Sequence, residues 1–200
     1  MSARKVFEYG GYIAGAVLIV FGIVAIYMGV DGRSTVRDSI AQEQIVFGNA
    51  ADDEAVAAHA EQWSEEQVKT GEQARAFALI MRDHALEGSD GLTYAQMGRF
   101  VSADDPDDPA GTSDEAAAAK DEEGNPISNG ARNTWVTATA LSTALNMSYM
   151  AEQLAIFGIV VGVALLLAGI GFIILSLLAV RSWASGDAAA PAATRTPATA

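Results

Sequence analysis

The chain contains no cysteine. That excludes a disulfide framework, a thiolate metal site and a cysteine nucleophile. Histidine is scarce: His59 and His84 are the only two in 200 residues. A two-histidine metal centre therefore has its minimum inventory and no spare. Charge is missing from two long stretches, since residues 9–30 and 153–180 hold no Asp, Glu, Lys or Arg. A proton or ion path through either would have no ionisable group to use. No glycine-rich phosphate loop appears, and no Ser/His/Asp set around a nucleophile motif.

What is present is divided sharply by position. Half of the residues are apolar, yet the formal net charge is −13. Residues 31–152 hold 23 of the 25 acidic and 8 of the 12 basic side chains, a balance of −15. Nucleic acid is an unsuitable partner for such a segment, because phosphate contacts need a basic face.

A bilayer core of about 30 Å takes about 20 apolar residues as helix. Both uncharged stretches pass that length and read as transmembrane helices, 9–30 and 153–180. The first is too long in its apolar part for a cleavable leader, and Tyr27-Met28-Gly29-Val30-Asp31 lacks the small-x-small cleavage pattern. Arg4 and Lys5 precede the first span and Arg181 follows the second. By the positive-inside rule both termini, 1–8 and 181–200, are cytoplasmic, and 31–152 lies outside as an extracytoplasmic domain. Tyr9, Tyr12, Tyr27 and Trp183 suit interfacial anchoring. The expected location is the cell membrane of a bacterial envelope, with the lipid bilayer as the first partner.

Within 31–152 the first helix is expected to run on through 34–47, where Val36, Ile40 and Phe47 share a face, and to stop at Gly48-Asn49. A second helix covers about 52–67, its acidic start suited to the helix dipole. Thr70 and Gln73 form a capping box for a third, ending near Leu86 and closing at Gly88. Residues 92–97 add a helical turn. Residues 102–127 hold three of the five prolines, nine acids and almost no large apolar group. They read as a flexible, solvated loop with one helical turn at 114–120. From Asn129 a helix restarts and continues unbroken through the second span. The tail, with Pro191 and Pro197, reads as disordered.

Ile45-Val46-Phe47, Val68-Lys69-Thr70-Gly71-Glu72-Gln73-Ala74-Arg75, His84 and Gly91-Leu92-Thr93-Tyr94 fall in this order between the two spans. In this the chain resembles an uncharacterised family of two-span membrane proteins common in actinobacteria. The resemblance implies a fold and a bacterial source and brings no established activity. Members are sometimes labelled aromatic ring-opening dioxygenases. A non-haem iron centre of that kind needs two His and a carboxylate. His59 and His84, with Glu61, Glu65 and Glu72 nearby, are the only candidates, on separate helices and without a local metal signature. Read as ordinary residues, His59 is a surface side chain and His84 packs near the end of its helix. The expectation is therefore no catalytic residue, no metal and no cofactor.

The acidic loop invites comparison with an EF-hand. Counted from Asp104, Asp108 and Glu115 fall at positions 5 and 12, but Pro106 takes position 3 and Pro109 the position that needs Gly. The loop reads as solvated acid instead. The spans carry a clearer pattern. Gly15, Gly22 and Gly29 recur every seven residues, Gly158, Gly162 and Gly169 nearly so, and Gly158–Gly162 is a GxxxG. Stripes of small residues let helix backbones approach in lipid, so these six are the expected helix-packing residues, within one chain or between chains.

The fold class expected is all-α: a membrane helical hairpin carrying a small extracytoplasmic helical bundle. The function expected is that of a non-catalytic envelope protein, an accessory or scaffold subunit acting on itself or on other membrane proteins. A sensing module is the alternative, although 19 residues after Arg181 are too few for an output domain. A metal-dependent dioxygenase is the third possibility.

Overall fold

The structure is a computed structural model that describes residues 3–188. Its regular elements are all helical: α1 (Ala3–Gln42), α2 (Glu54–Ala60), α3 (Gly71–Glu87) and α4 (Gly130–Ala188), with short 3₁₀ turns at Glu61–Trp63 and Tyr94–Gln96. Among the described residues β-pairing is confined to isolated bridges. Two helices are long and apolar enough to cross a membrane, within Glu8–Gln42 and Gly130–Ala179. The end of the expected disordered tail, 189–200, lies outside the described residues. Residues 181–188, expected in that tail, continue α4.

The chain divides into two compact units, Met1–Val30 with Ile156–Ala200 and Asp31–Ala155. In the first unit α1 and α4 run antiparallel, Gly15 meeting Gly169 and Gly22 meeting Gly162. Their outward faces expose Val20, Phe21, Leu167 and Leu175. That inverts the pattern of a water-soluble helix pair and suits hydrocarbon as the solvent.

The second unit has a core of its own. Ile40 from α1, Val56 and Ala60 from α2, Ala74, Ala78 and Ile80 from α3, and Leu145 from α4 are buried with Phe47 and Val68. Phe47 stacks on Trp63 at 6.0 Å and meets Phe77 edge-on at 5.7 Å. A smaller cluster joins Ala85, Met97, Trp135 and Ala138.

Local chemistry explains most helix ends. Asp53 caps α2 by accepting the Val56 N–H, and Thr70 with Gln73 forms the expected capping box of α3. Three boundaries differ from expectation. α1 stops at Gln42 rather than at Gly48, because residues 45–47 leave the helix to pair with 66–68. Phe47 N–H donates to Glu66 and Val68 N–H to Ile45, at 3.0 and 2.8 Å. The side chain of Gln67 donates to the Ala41 carbonyl at 2.9 Å, answering one orphan acceptor at that helix end. For the same reason α2 is far shorter than 52–67.

The third difference is the acidic segment 102–127. The helical turn expected at 114–120 is absent, and the segment is bonded rather than featureless. Phe100 bridges both Thr112 and Ser128, Ser102 bridges Ala118, and Lys120 bridges Pro126. The aspartates turn the chain by accepting from backbone just ahead of them: Asp108 from Ala110, Asp114 from Ala116, and Asp121 from Asn125. Such local bonds build turns without a large core, which composition alone does not reveal.

Candidate functional site

Glu152 is the one charged residue of α4 between Arg132 and Arg181, and its side chain is only 5% exposed. A carboxylate removed from water needs partners for its charge. Arg33 and Arg37, one helical turn apart on α1, supply them. Their Nε atoms donate to Glu152 Oε1 at 3.0 and 2.6 Å. The second oxygen accepts the backbone N–H of Gly71, the first residue of α3, at 2.6 Å. That N–H is an orphan donor at the positive end of a helix dipole, where a carboxylate is favoured. One side chain thus ties α1, α3 and α4 together.

Glycine is required at the contact. A Cβ on Gly71 would lie 2.8 Å from Tyr149 Cα and 2.9 Å from Glu152 Oε2. Close by, the Arg75 guanidinium lies 4.9 Å from the centre of the Tyr149 ring. This cluster was not anticipated from the sequence. The signal that would have found it is the single acid in an otherwise uncharged run from 133 to 180: such a residue must have a partner.

The two histidines cross-link α2 and α3 in separate pairs. His59 Nε2 lies 2.8 Å from Asp83 Oδ2, and His84 Nε2 lies 3.1 Å from Asp53 Oδ2. The Val56 N–H holds the Asp53 carboxyl below its ordinary value; partial burial opposes this and His84 reinforces it. Glu61, Glu65 and Glu72 are bonded to neither ring, and no group of three metal-ligating side chains occurs among the described residues. Beside the second pair, Asp52, Asp53, Glu54, Asp83 and Glu87 line an open acidic cleft of about 640 Å³. Its chemistry is that of a weak cation-attracting surface.

Four of the six expected helix-packing glycines sit in backbone-to-backbone contact. A Cβ on Gly22 would lie 2.7 Å from the Gly162 carbonyl oxygen and one on Gly169 the same distance from that of Gly15. The reciprocal positions, Gly162 on Gly22 and Gly15 on Gly169, are each at 2.8 Å. A Cβ on Gly158 would lie 3.9 Å from Gly29 Cα, an ordinary contact. No protein-family model, curated protein or solved structure matches the chain.

Proposed function

We infer that the chain is a non-catalytic integral membrane protein of a bacterial envelope, an accessory or scaffold subunit that holds residues 31–152 outside the membrane as a platform for other membrane proteins. Both termini lie inside in this reading. The observation that carries it is the use made of buried charge. Glu152, the most enclosed carboxylate, is fully engaged in joining three helices through Arg33, Arg37 and Gly71. The histidines are likewise each engaged by an aspartate. These groups serve the architecture. The apolar length of both helices and the absence of charge from 9–30 and 153–180 support the membrane placement.

The sensing alternative has one observation in its favour: α1 and α4 are unbroken from Ala3 to Gln42 and from Gly130 to Ala188. A helix without an interruption transmits a tilt or shift along its length.

The scaffold reading is tested by purifying the full chain in mild detergent and analysing what accompanies it. A stoichiometric membrane protein, lost when exposed charges of 31–152 are reversed, is the expected result. A stoichiometric metal or small molecule with no accompanying protein would overturn it.

A further inference from the structure

Arg33 and Arg37 bring more charge and more donors to Glu152 than one carboxylate oxygen can use. Each guanidinium carries five N–H donors. Glu152 engages one from each, the Nε–H, and among the described residues no other protein group bonds either arginine. Both side chains stay partly exposed. Two more cations stand beside them. Arg75 lies over the ring of Tyr149, one turn before Glu152, and Lys69 is exposed two residues before Gly71. Neither pairs with a carboxylate among the described residues. Half of the eight basic residues of 31–152 thus gather around one buried acid. The acids of α1 avoid the place: helical spacing turns Asp31 and Asp38 about 100–160° away from Arg33 and Arg37. Four cations against Glu152 and Glu72 leave an excess of two positive charges, within a segment whose balance is −15.

These cations stand next to the apolar stretches. Arg33 follows the charge-free stretch 9–30 by three residues, and Glu152 immediately precedes 153–180. At about 1.5 Å per residue, Arg33 and Tyr149 lie about 5–6 Å along their helices beyond those stretches, and Arg37 about 10 Å. A headgroup layer is about 5–8 Å deep on each side of a core of about 30 Å. The cluster therefore falls at the depth of lipid phosphates. Orientation in the membrane does not explain it, because the positive-inside rule puts Lys and Arg at the opposite ends of these helices.

We propose that Arg33, Arg37, Lys69 and Arg75 form a binding site for the headgroup of a net-anionic phospholipid of the surrounding bilayer. The unused guanidinium donors of the two α1 arginines take the phosphate, whose oxygens match a guanidinium fork. Glu152 holds both side chains in place from behind, and the face of the Tyr149 ring holds Arg75. The excess of two charges selects a headgroup without a balancing amine, so phosphatidylglycerol is preferred to phosphatidylcholine. The inference rests on the membrane placement proposed above, and on neither the orientation nor the scaffold reading.

The test uses the full chain in nanodiscs of equal parts phosphatidylglycerol and phosphatidylcholine, with the retained lipids identified by native mass spectrometry. Phosphatidylglycerol should be held about tenfold over phosphatidylcholine, as for one to two basic side chains at an anionic surface. Arg37→Gln should remove most of that preference. Arg75→Gln should lower it severalfold at an unchanged melting temperature. Because Arg75 touches none of the Glu152 bonds, this variant decides the matter if Arg37→Gln fails to fold. Arg99→Gln, which alters an exposed arginine on the Phe100 ring, should keep the parental ratio. Three results overturn the proposal: the parent holds both lipids alike; folded Arg75→Gln retains the parental ratio; or excess inorganic phosphate strips the lipid, which would make this a site for free phosphate. Alkaline carbonate extraction of native membranes reports the membrane placement separately. A chain that comes off contradicts the placement, whereas one that stays embedded and shows no lipid preference contradicts the headgroup site alone.

Discussion

Gly71 and Glu152, 81 residues apart, meet through a 2.6 Å bond from a helix-initial N–H to a buried carboxylate oxygen. The contact requires both partners. Any other residue at 71 drives a Cβ into the Tyr149 backbone, and any uncharged residue at 152 leaves Arg33 and Arg37 without their shared anion.

Removing the carboxylate is the first test. Glu152→Ala leaves the Gly71 N–H unpaired in a buried position, which costs about 1–3 kcal/mol. Arg33 and Arg37 are 41% and 39% exposed, so they regain water and add little. We expect a loss of about 2–3 kcal/mol in the stability of the 31–155 unit. Glu152→Gln, which keeps an acceptor for Gly71, should lose less. Melting in detergent checks this, and equal losses for the two variants would contradict it.

Two glycines on helix starts should respond oppositely. Gly71→Ala gains helix propensity of up to about 1 kcal/mol yet must displace Tyr149 or Glu152, so it should destabilise by about 1–3 kcal/mol. Gly130→Ala opens α4, where an added Cβ meets nothing within 4 Å, and should be neutral or slightly stabilising. Chemical denaturation of both variants decides whether space or propensity governs position 71.

In the apolar unit, Gly22→Leu and Gly162→Leu must separate the α1 and α4 backbones. The loss is of many dispersion contacts, each worth about 0.1–0.2 kcal/mol, with little hydrophobic drive in lipid to restore them. Leu167 is 61% exposed, so Leu167→Ile is the control. Both glycine variants should melt lower and weaken crosslinking between cysteines placed elsewhere on the two helices. Parental behaviour of both would remove the packing role.

Acid should weaken the cap of α2. The Asp53 carboxyl is held below its ordinary value by the Val56 N–H, with His84 adding to the effect against partial burial. A group whose folded pKa is depressed stabilises the fold above its unfolded pKa of about 3.9. That stability disappears as pH falls through the lower, folded value. Asp53→Asn keeps a good cap but does not titrate. Its stability between pH 5 and pH 2, on the order of the carboxylate range, should fall less steeply than the parent's. Identical acid limbs would contradict the assignment.

The histidine pairs predict that chelators leave the melting temperature unchanged and that metal analysis finds no stoichiometric iron or zinc. One tightly held iron per chain, lost in both His59→Ala and His84→Ala, would assign a metal centre to these residues instead.

The legible parts of the structure were those set by local rules. The Thr70–Gln73 capping box, the stop at Gly88, the turn at Thr93–Gln96 and the two long apolar helices all follow from residues within a few positions of one another. The six glycines were legible as a pattern, but whether they pair within one chain was not, because a stripe has the same spacing in either case. The acidic segment misled for a related reason: its composition reports the lack of a large core, while its order comes from aspartate side chains turning their own backbone.

By itself, then, the sequence determined the two apolar helices, the concentration of acidic charge in the residues between them, and the capped start of α3. Each is a consequence of hydropathy or of hydrogen bonds over a few residues. Only the tertiary structure decided that Glu152 belongs with Arg33, Arg37 and Gly71, and that each histidine meets an aspartate across α2 and α3. Those facts depend on which distant segments meet, and many pairings are compatible with the same local pattern until core packing selects one.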